Sequence, residues 1–369
     1  MTATAITTEG AEPAVRPGAT ESADRAGRRP VQALRRPLLW YRDPLSCLQT
    51  TFAAVVDAAG GDPLEVLGAG WEFRHLPGDV RTEEFYHPSR HPEDLGRSIA
   101  PHHHVRSRWT TPTADRNPLS ELADEIAAGR LPIAAVDNFP LPFRPAYHDV
   151  HAAHLVVVYG VDLARDLVLV SDAQPPAFTG PIRAEDFLAA WGSVNPADDQ
   201  DAFFSATRID RRYLRVEFGD SRPLDRDGLR AALRANVDGF TAAPASDGGA
   251  WTGLAGLRRY LDEVVAAAAA GDSATVRDVY PFGWSMQAQA CLHGELLRTV
   301  GVDRDLPCLR EAGRAVEAVG HTWSGLRVTA AHGWPAPQAA AESLEHHGAR
   351  LQQRYQCAVE AVDRAVGRL

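Results

Sequence analysis

The character of the sequence changes near residue 225, and this change limits the available folds more than any other feature. Before it, short β-branched apolar runs alternate with segments rich in proline, glycine and aspartate. After it, long runs of alanine, leucine and valine at helical spacing continue to the last residue. The pattern predicts an α+β domain followed by an all-helical domain.

The predicted boundaries follow from composition. A tail without periodicity, rich in Thr, Ala, Gly and Pro, is predicted to be disordered. The predicted segments are 1–30 for this tail, 31–222 for the α+β domain and 223–369 for the helical domain. Breaks between the helices are predicted at residues 244–249, 281–283, 303–307 and 333–337.

Composition excludes several functional classes. The net charge of −10 argues against general binding to nucleic acid or anionic membranes. All 38 basic residues are arginine, so no lysine can form a Schiff base. The sequence has no apolar stretch of membrane-spanning length, and its 4 cysteines include no Cys-x-x-Cys pair. We therefore expect a cytoplasmic protein with free thiols.

Local patterns in the first domain predict several elements. Asp43 is expected to cap a helix with Pro44 at its first position, and Gly60 to end it. Residues 154–159 and 167–171 are expected to form a β-hairpin. Further expectations are an irregular excursion at 77–117, a helix at 119–128, and strands at 133–137 and 202–209.

Cys47 is a candidate nucleophile because it lies in the first turn of that predicted helix. The unpaired N–H groups and the positive end of the helix dipole favour a thiolate, which is the reactive form. The alternative interpretation is a small buried apolar residue.

A histidine and an aspartate in the predicted hairpin complete a candidate triad. His154 opens one strand and Asp172 ends the next, so the two side chains can meet across the pair. A carboxylate that holds an imidazole in one tautomer next to a cysteine is the arrangement of cysteine-based acyl transfer. His151 is the competing candidate for the base. The order Cys, His, Asp predicts a papain-like domain.

Three consecutive histidines, 102–104, are the candidate for a metal site. Adjacent residues on an extended chain point in alternate directions, so the sequence favours a solvated loop and predicts no metal.

Several stretches together resemble the family named after butirosin biosynthesis protein H. The similar stretches are Cys47-Leu-Gln-Thr-Thr, residues 62–70, 131–137, 141–145, 151–162 and 170–172, and in the second domain 253–258 and 292–297. The chain departs from the family pattern at Ser46, where histidine is common. It also has no glutamine shortly upstream of Cys47, where papain-like enzymes place an oxyanion-hole side chain.

The resemblance implies a fold and an activity. The fold is a papain-like, C39-peptidase-like domain joined to a helical domain. The activity is transfer of an acyl group from the phosphopantetheine thioester of an acyl carrier protein to an amine, in antibiotic biosynthesis. Cys47 would take the acyl group, His154 would act as the base and Asp172 would orient it. Asp137 would line the acceptor pocket.

The predicted substrate-binding residues are Asp137, Arg144, Tyr147, His151 and Gln49. Arg97, Arg106, Arg108 or Arg144 are candidates for holding the carrier protein or its phosphate arm. No cofactor is expected beyond the phosphopantetheine of that partner, and a homodimer stays open. Two alternatives also stay open: a thioesterase or peptidase on the same triad, and a non-catalytic carrier-binding module.

Overall fold

A computed structural model describes residues 31–82, 84–219, 223–243 and 249–369. The predictions for the tail at 1–30 and for most of the break at 244–249 therefore lie outside the described residues. The strands are β1 (Gln32–Ala33), β2 (Arg74–His75), β3 (Val105–Thr110), β4 (Ile133–Asp137), β5 (Ala153–Asp162), β6 (Leu167–Asp172), β7 (Phe178–Arg183), β8 (Tyr213–Phe218) and β9 (Trp251–Thr252). The helices are α1 (Cys47–Ala58), α2 (Pro63–Gly68), α3 (Leu95–Ile99), α4 (Pro118–Ala127), α5 (Ala184–Trp191), α6 (Arg226–Thr241), α7 (Gly253–Ala270), α8 (Ser273–Asp303), α9 (Pro307–Gly333) and α10 (Pro337–Val366).

One antiparallel sheet organises the first part of the chain. Its strand order is β3-β8-β4-β5-β6-β7, and β1 pairs with the C-terminal end of β5. Every residue of β4 and β5 is buried. Helix α1 packs in the apolar cluster on one side of these strands, and α4 and α5 pack in the cluster on the other side. The central strands are therefore covered on both faces, which is why they read as continuous apolar runs.

Five helices, α6 to α10, form a third apolar cluster in the C-terminal part. The chain is thus a mixed α/β protein with an antiparallel sheet and a helical C-terminal region. The predicted breaks at 303–307 and 333–337 are confirmed, because α8 ends at Asp303 and α10 begins at Pro337. Among the described residues, no helix combines the length and the apolar content that crossing a membrane requires.

Helix α8 joins the two parts. Its residues Ala288 and Leu292 belong to the same apolar cluster as α1. The indole N–H of Trp284 donates to the carbonyl of Pro44 at 2.8 Å, and the Ser285 hydroxyl donates to the carbonyl of Tyr86 at 2.8 Å. The helical region therefore lies directly against the segment that leads into α1. The domain boundary at 222/223 stays a prediction.

Two predicted elements in the first part are wrong. Residues 202–209 form turns, not a strand, because the Asp201 carboxylate accepts the N–H groups of Phe203 and Phe204 and the Asn195 amide donates to two carbonyls of this segment. The excursion at 77–117 is also more regular than predicted. It contains β3, in which exposed Arg106 and Arg108 alternate with inward-facing residues.

The predicted break at 281–283 is wrong as well, because α8 continues through Pro281. A proline inside a helix removes one backbone hydrogen bond. Here the flanking residues are held by packing: Phe282 lies in the helical core, and the Arg327 guanidinium donates to the carbonyl of Tyr280 at 3.0 Å. Tertiary contacts therefore outweigh the local signal.

Candidate active site

Cys47 is the first residue of α1, and Ser46 is the residue that caps this helix. The backbone N–H of Ser46 donates to Gln49 Oε1 at 3.0 Å, and the Ser46 side chain accepts from the backbone of the first turn, which together make a capping box. The prediction that Asp43 caps the helix is therefore wrong, because Asp43 and Pro44 lie in a turn before it. Cys47 is consequently closer to the positive helix end than predicted.

The structure brings His154 and Asp172 together across the β5–β6 hairpin, as the sequence predicted. His154 Nε2 lies 2.7 Å from Asp172 Oδ2, and both residues are buried. The Cys47 thiol faces the same cavity as the imidazole and contributes to raising the pKa of His154. Since Nε2 faces the carboxylate, Nδ1 is the nitrogen available to the thiol. We call His154 and Asp172 the buried pair.

Arg144 makes a second bond to the buried pair. Its Nη1 donates to Asp172 Oδ2 at 3.0 Å and to the carbonyl of Gln174 at 3.2 Å, while the Gln174 N–H donates to Asp172 Oδ1 at 2.9 Å. Both carboxylate oxygens are thus bonded, which fixes the orientation of Asp172. The negative charge of this buried carboxylate is compensated by one cation and one imidazole, so the group does not need to be protonated.

Electrostatics keep the imidazole charged. Burial lowers the pKa of His154, but the Asp172 charge and hydrogen bond, and then the Cys47 thiol, outweigh burial and raise it to about 9. Burial raises the pKa of Asp172, yet His154 and Arg144 reverse this and hold it below its usual value. At neutral pH, His154 is therefore an imidazolium that can give a proton to a leaving group.

The cysteine and the histidine open into a cavity of about 210 Å³. Its walls include three aromatic side chains, Tyr86, Phe204 and Trp284, in edge-to-face contact with ring centroids 5.2 and 5.7 Å apart. Trp284 belongs to α8, so the helical region supplies part of the wall. The volume is below the roughly 300–1,000 Å³ usual for drug-sized ligands, which indicates a small bound group.

Residues 46–173, which contain Cys47, Arg144, His154 and Asp172, match the family model described as Butirosin biosynthesis protein H, N-terminal. This stretch of the chain is therefore similar to the N-terminal domain of butirosin biosynthesis protein H. No curated protein matches the sequence significantly. The matched segment begins one residue before Cys47 and ends one residue after Asp172, so it spans the candidate triad.

Within this butirosin biosynthesis protein H-like segment, Asp137 and His151 form a second histidine–carboxylate pair. His151 Nδ1 lies 2.6 Å from Asp137 Oδ2, the carboxyl group is fully buried, and the imidazole side chain is 26% exposed. We call this the rim pair. It is distinct from the buried pair, so the two candidate histidines do not compete for one carboxylate.

The remaining predicted substrate-binding residues lie in different places. Arg144 lines the cavity as well as binding Asp172. Tyr147 is 40% exposed and stacks on His148 with centroids 3.9 Å apart. Gln49 is buried in the capping box, and it lines a different cavity from the one that holds Cys47.

Sequence reasoning missed several polar residues that line the cavity, and Asn138 and Asp201 are two of them. Asn138 follows β4, and its Oδ1 is buried without a hydrogen-bond partner among the described residues. Asp201 lies in the turn segment, where burial raises its pKa. Asn138 follows Asp137 directly, so the predicted end of β4 was the available signal. No sequence signal pointed to Asp201, because the segment directly after it, 202–209, was expected to form a strand.

The three consecutive histidines lie in a turn before β3. His102 Nε2 is 3.1 Å from the Asn236 side-chain oxygen, and burial lowers the pKa of both His102 and His103. Within the described ranges, no group of three or more His, Cys, Asp or Glu side chains could hold a metal ion.

Proposed function

We propose that the protein is an acyltransferase that moves a small acyl group from a carrier-protein thioester to an amine through an acyl–Cys47 intermediate. The observation that supports this most is that the Cys47 thiol, at the first position of α1, shares a cavity with His154, whose Nε2 lies 2.7 Å from Asp172. A helix-borne cysteine and a sheet-borne histidine are the arrangement of a papain-like fold, which we propose for this part of the chain.

The first half of the reaction forms the acyl enzyme. The Cys47 sulfur attacks the thioester carbonyl carbon, and the tetrahedral intermediate expels the donor thiolate. His154, charged at neutral pH, gives its proton to that leaving thiolate and becomes neutral. The products of this half are a free carrier thiol, acyl–Cys47 and a neutral imidazole.

The second half transfers the acyl group. The amine nitrogen attacks the acyl–Cys47 carbonyl carbon, and neutral His154 takes a proton from that nitrogen. Collapse of the intermediate forms the amide bond and releases the Cys47 thiolate beside the imidazolium. Asp172, held by Arg144 and the Gln174 N–H, keeps the imidazole in one orientation through both halves.

The cavity supports a small, partly apolar acyl group. Its aromatic side chains offer apolar contact, and the unpaired Asn138 amide offers hydrogen bonding to a carbonyl or amide of the substrate. The Cys47 N–H, at the start of α1, is our candidate oxyanion donor. Removal of one such donor typically costs about 2.7–4 kcal/mol of transition-state stabilisation.

The donor partner is proposed to be an acyl carrier protein, whose thioester arm would reach Cys47. Arg97 and Arg108 are exposed, and Arg106 is exposed but bonded to Asp94 at 3.1 Å. These cations are candidates for the acidic surface of a carrier protein. The family is named after a protein of butirosin biosynthesis, which supports a place for the reaction in antibiotic biosynthesis.

The test is a reaction of the full chain with carrier proteins that bear small acyl thioesters, with and without an added amine. We expect free carrier thiol and an amide product, both detected by mass spectrometry. Cys47→Ala should give neither, and Cys357→Ala should give both, because Cys357 is an exposed cysteine of α10. Release of a free acid in place of amide, with every amine tried, would instead indicate hydrolysis and contradict the proposal.

A further inference from the structure

The rim pair has the features of a second proton-transfer site. The Asp137 carboxyl group is fully buried and accepts four hydrogen bonds. Oδ2 binds His151 Nδ1 at 2.6 Å and the Ser193 hydroxyl at 2.6 Å. Oδ1 accepts the N–H groups of Phe139 at 3.0 Å and of Ala152 at 3.2 Å. Asp137 is therefore rigidly placed by two strand ends and the loop after α5.

The bonding of Asp137 determines which nitrogen of His151 is free. A carboxylate accepts hydrogen bonds, so the proton of a neutral His151 lies on Nδ1, and Nε2 carries a lone pair. One face of the ring lies against Phe139, with centroids 4.2 Å apart and planes 8° apart. Nδ1 and this face are covered, whereas 26% of the side chain is exposed, and Nε2 is not among the buried unpartnered atoms of the described residues.

The charges around His151 favour a positively charged ligand. Among the described residues, His151 is the one basic side chain paired with Asp137, because the other three donors are neutral. A second carboxylate, Asp198, accepts the backbone N–H of His151 at 2.9 Å. With a neutral imidazole, this region carries net negative charge and attracts a cation such as an ammonium group.

The rim pair lies beside the reactive cavity. Asn138 follows Asp137, Ala152 follows His151, and both of these neighbours line the cavity that holds Cys47 and His154. The buried pair, by contrast, is fully engaged: His154 Nε2 binds Asp172, and its other nitrogen serves the thiol. Each member of the rim pair is therefore one residue away in sequence from a residue that lines the reactive cavity.

The chemistry of a basic acceptor gives a second base a role. Alkyl ammonium groups, like that of lysine, are mostly protonated at neutral pH, and the protonated form has no lone pair for attack. Two protons leave the nitrogen in the conversion of an ammonium group to an amide. Neutral His154 takes the one that is released during attack, so the first passes to another acceptor, which is either solvent or a second base of the protein.

We propose that His151, oriented by Asp137, removes the first proton from an ammonium acceptor and thereby prepares the amine for attack on acyl–Cys47. The N–H bond of the ammonium breaks, and its proton passes to His151 Nε2. The imidazolium so formed is paired with Asp137 and returns its proton to solvent. The inference rests on the proposed acyl transfer and identifies the acceptor class as basic amines.

The test separates the two halves of the reaction in His151→Asn. The asparagine amide can still donate to Asp137 but cannot take a proton. We expect an unchanged rate of carrier thiol release without amine, and transfer to a basic alkyl amine slowed about 100-fold. Transfer to hydroxylamine, which is a free base at neutral pH, should stay within about twofold of the wild-type rate. His151→Gln is the second variant, should the asparagine change impair folding.

His148→Asn is the matched control, because His148 is exposed and lies in the same segment without a carboxylate partner among the described residues. It should transfer to both acceptors at the wild-type rate. Equal rates for wild-type protein and both His151 variants with the alkyl amine would overturn this inference and leave the proposed function standing. A wild-type protein that never forms acyl–Cys47 would overturn the proposed function, and this inference with it.

Discussion

The protein has two histidine–carboxylate pairs, and their surroundings differ. The two histidines lie three residues apart, His154 on β5 and His151 in the segment before it. The buried pair has a cation, Arg144, on its carboxylate and a thiol on its imidazole. The rim pair has only neutral donors around its carboxylate besides His151, and its imidazole is partly exposed. The same two residue types therefore offer two different chemical functions.

The difference teaches how surroundings divide proton transfer between equivalent groups. In the buried pair, Asp172 and Cys47 stabilise an imidazolium, so His154 begins the proposed reaction as an acid. In the rim pair, the buried Asp137 binds Nδ1 and leaves Nε2 free to act as the proposed base. The imidazolium that forms would then lose its proton to solvent. Pairs of titratable groups with opposed surroundings are the usual basis for separate acid and base roles.

The largest expected effect comes from removal of the imidazole of the buried pair. His154→Ala should slow both carrier thiol release and amide formation by on the order of 10⁵-fold, as for other triad histidines. His151→Asn should slow only the second half. Rapid-quench measurement of each half reaction checks this. Comparable losses in both halves for the two variants would remove the distinction between the pairs.

A smaller effect is expected from neutralisation of each carboxylate. Asp172→Asn should slow thiol release by on the order of 10⁴-fold, because the imidazole loses its orienting charge. It should also lower the free energy of unfolding by about 3–5 kcal/mol, since Arg144 loses its buried partner. Asp137→Asn should leave thiol release nearly unchanged. Kinetics and urea denaturation of both variants give the comparison.

The smallest expected effect is a pH dependence of stability from His154. Its pKa rises from 6.5 to about 9 on folding, so its stabilising contribution is complete below pH 6.5 and is lost as the pH rises through 9. The unfolding free energy of wild-type protein relative to His154→Gln should therefore fall between these pH values. A difference that is constant across this range would contradict the charged state of the buried pair.

Local patterns were sufficient to predict the contact between His154 and Asp172. Two β-branched runs joined by a short polar turn placed the two side chains within reach of each other without any long-range information. The strand at 133–137 and the helix near 119–128 were confirmed for the same reason. The cap was misassigned by three residues, because Asp43-Pro44 and Ser46 with Gln49 are competing cap signals, and only the second pair makes the bonds.

What the sequence could not predict depends on contacts between distant segments. Ser193 reaches Asp137 from 56 positions away, and Trp284 reaches Pro44 from 240. Trp284 completes the aromatic wall of the cavity because α8 docks against the segment before α1. The local sequence pattern of α8 or of the segment before α1 does not indicate that the two will pack together. The cavity and the Arg144 contact to Asp172 were therefore not predictable from the sequence.

The most direct test of the central claim is to locate the acyl group on the wild-type chain. The protein is mixed with an acyl-loaded carrier protein without amine, quenched in acid, digested, and mapped by mass spectrometry. We expect the acyl mass on the peptide that contains Cys47, and none on those that contain Cys291, Cys308 or Cys357. An acyl group on another residue, or carrier thiol release without any adduct, would contradict Cys47 as the nucleophile.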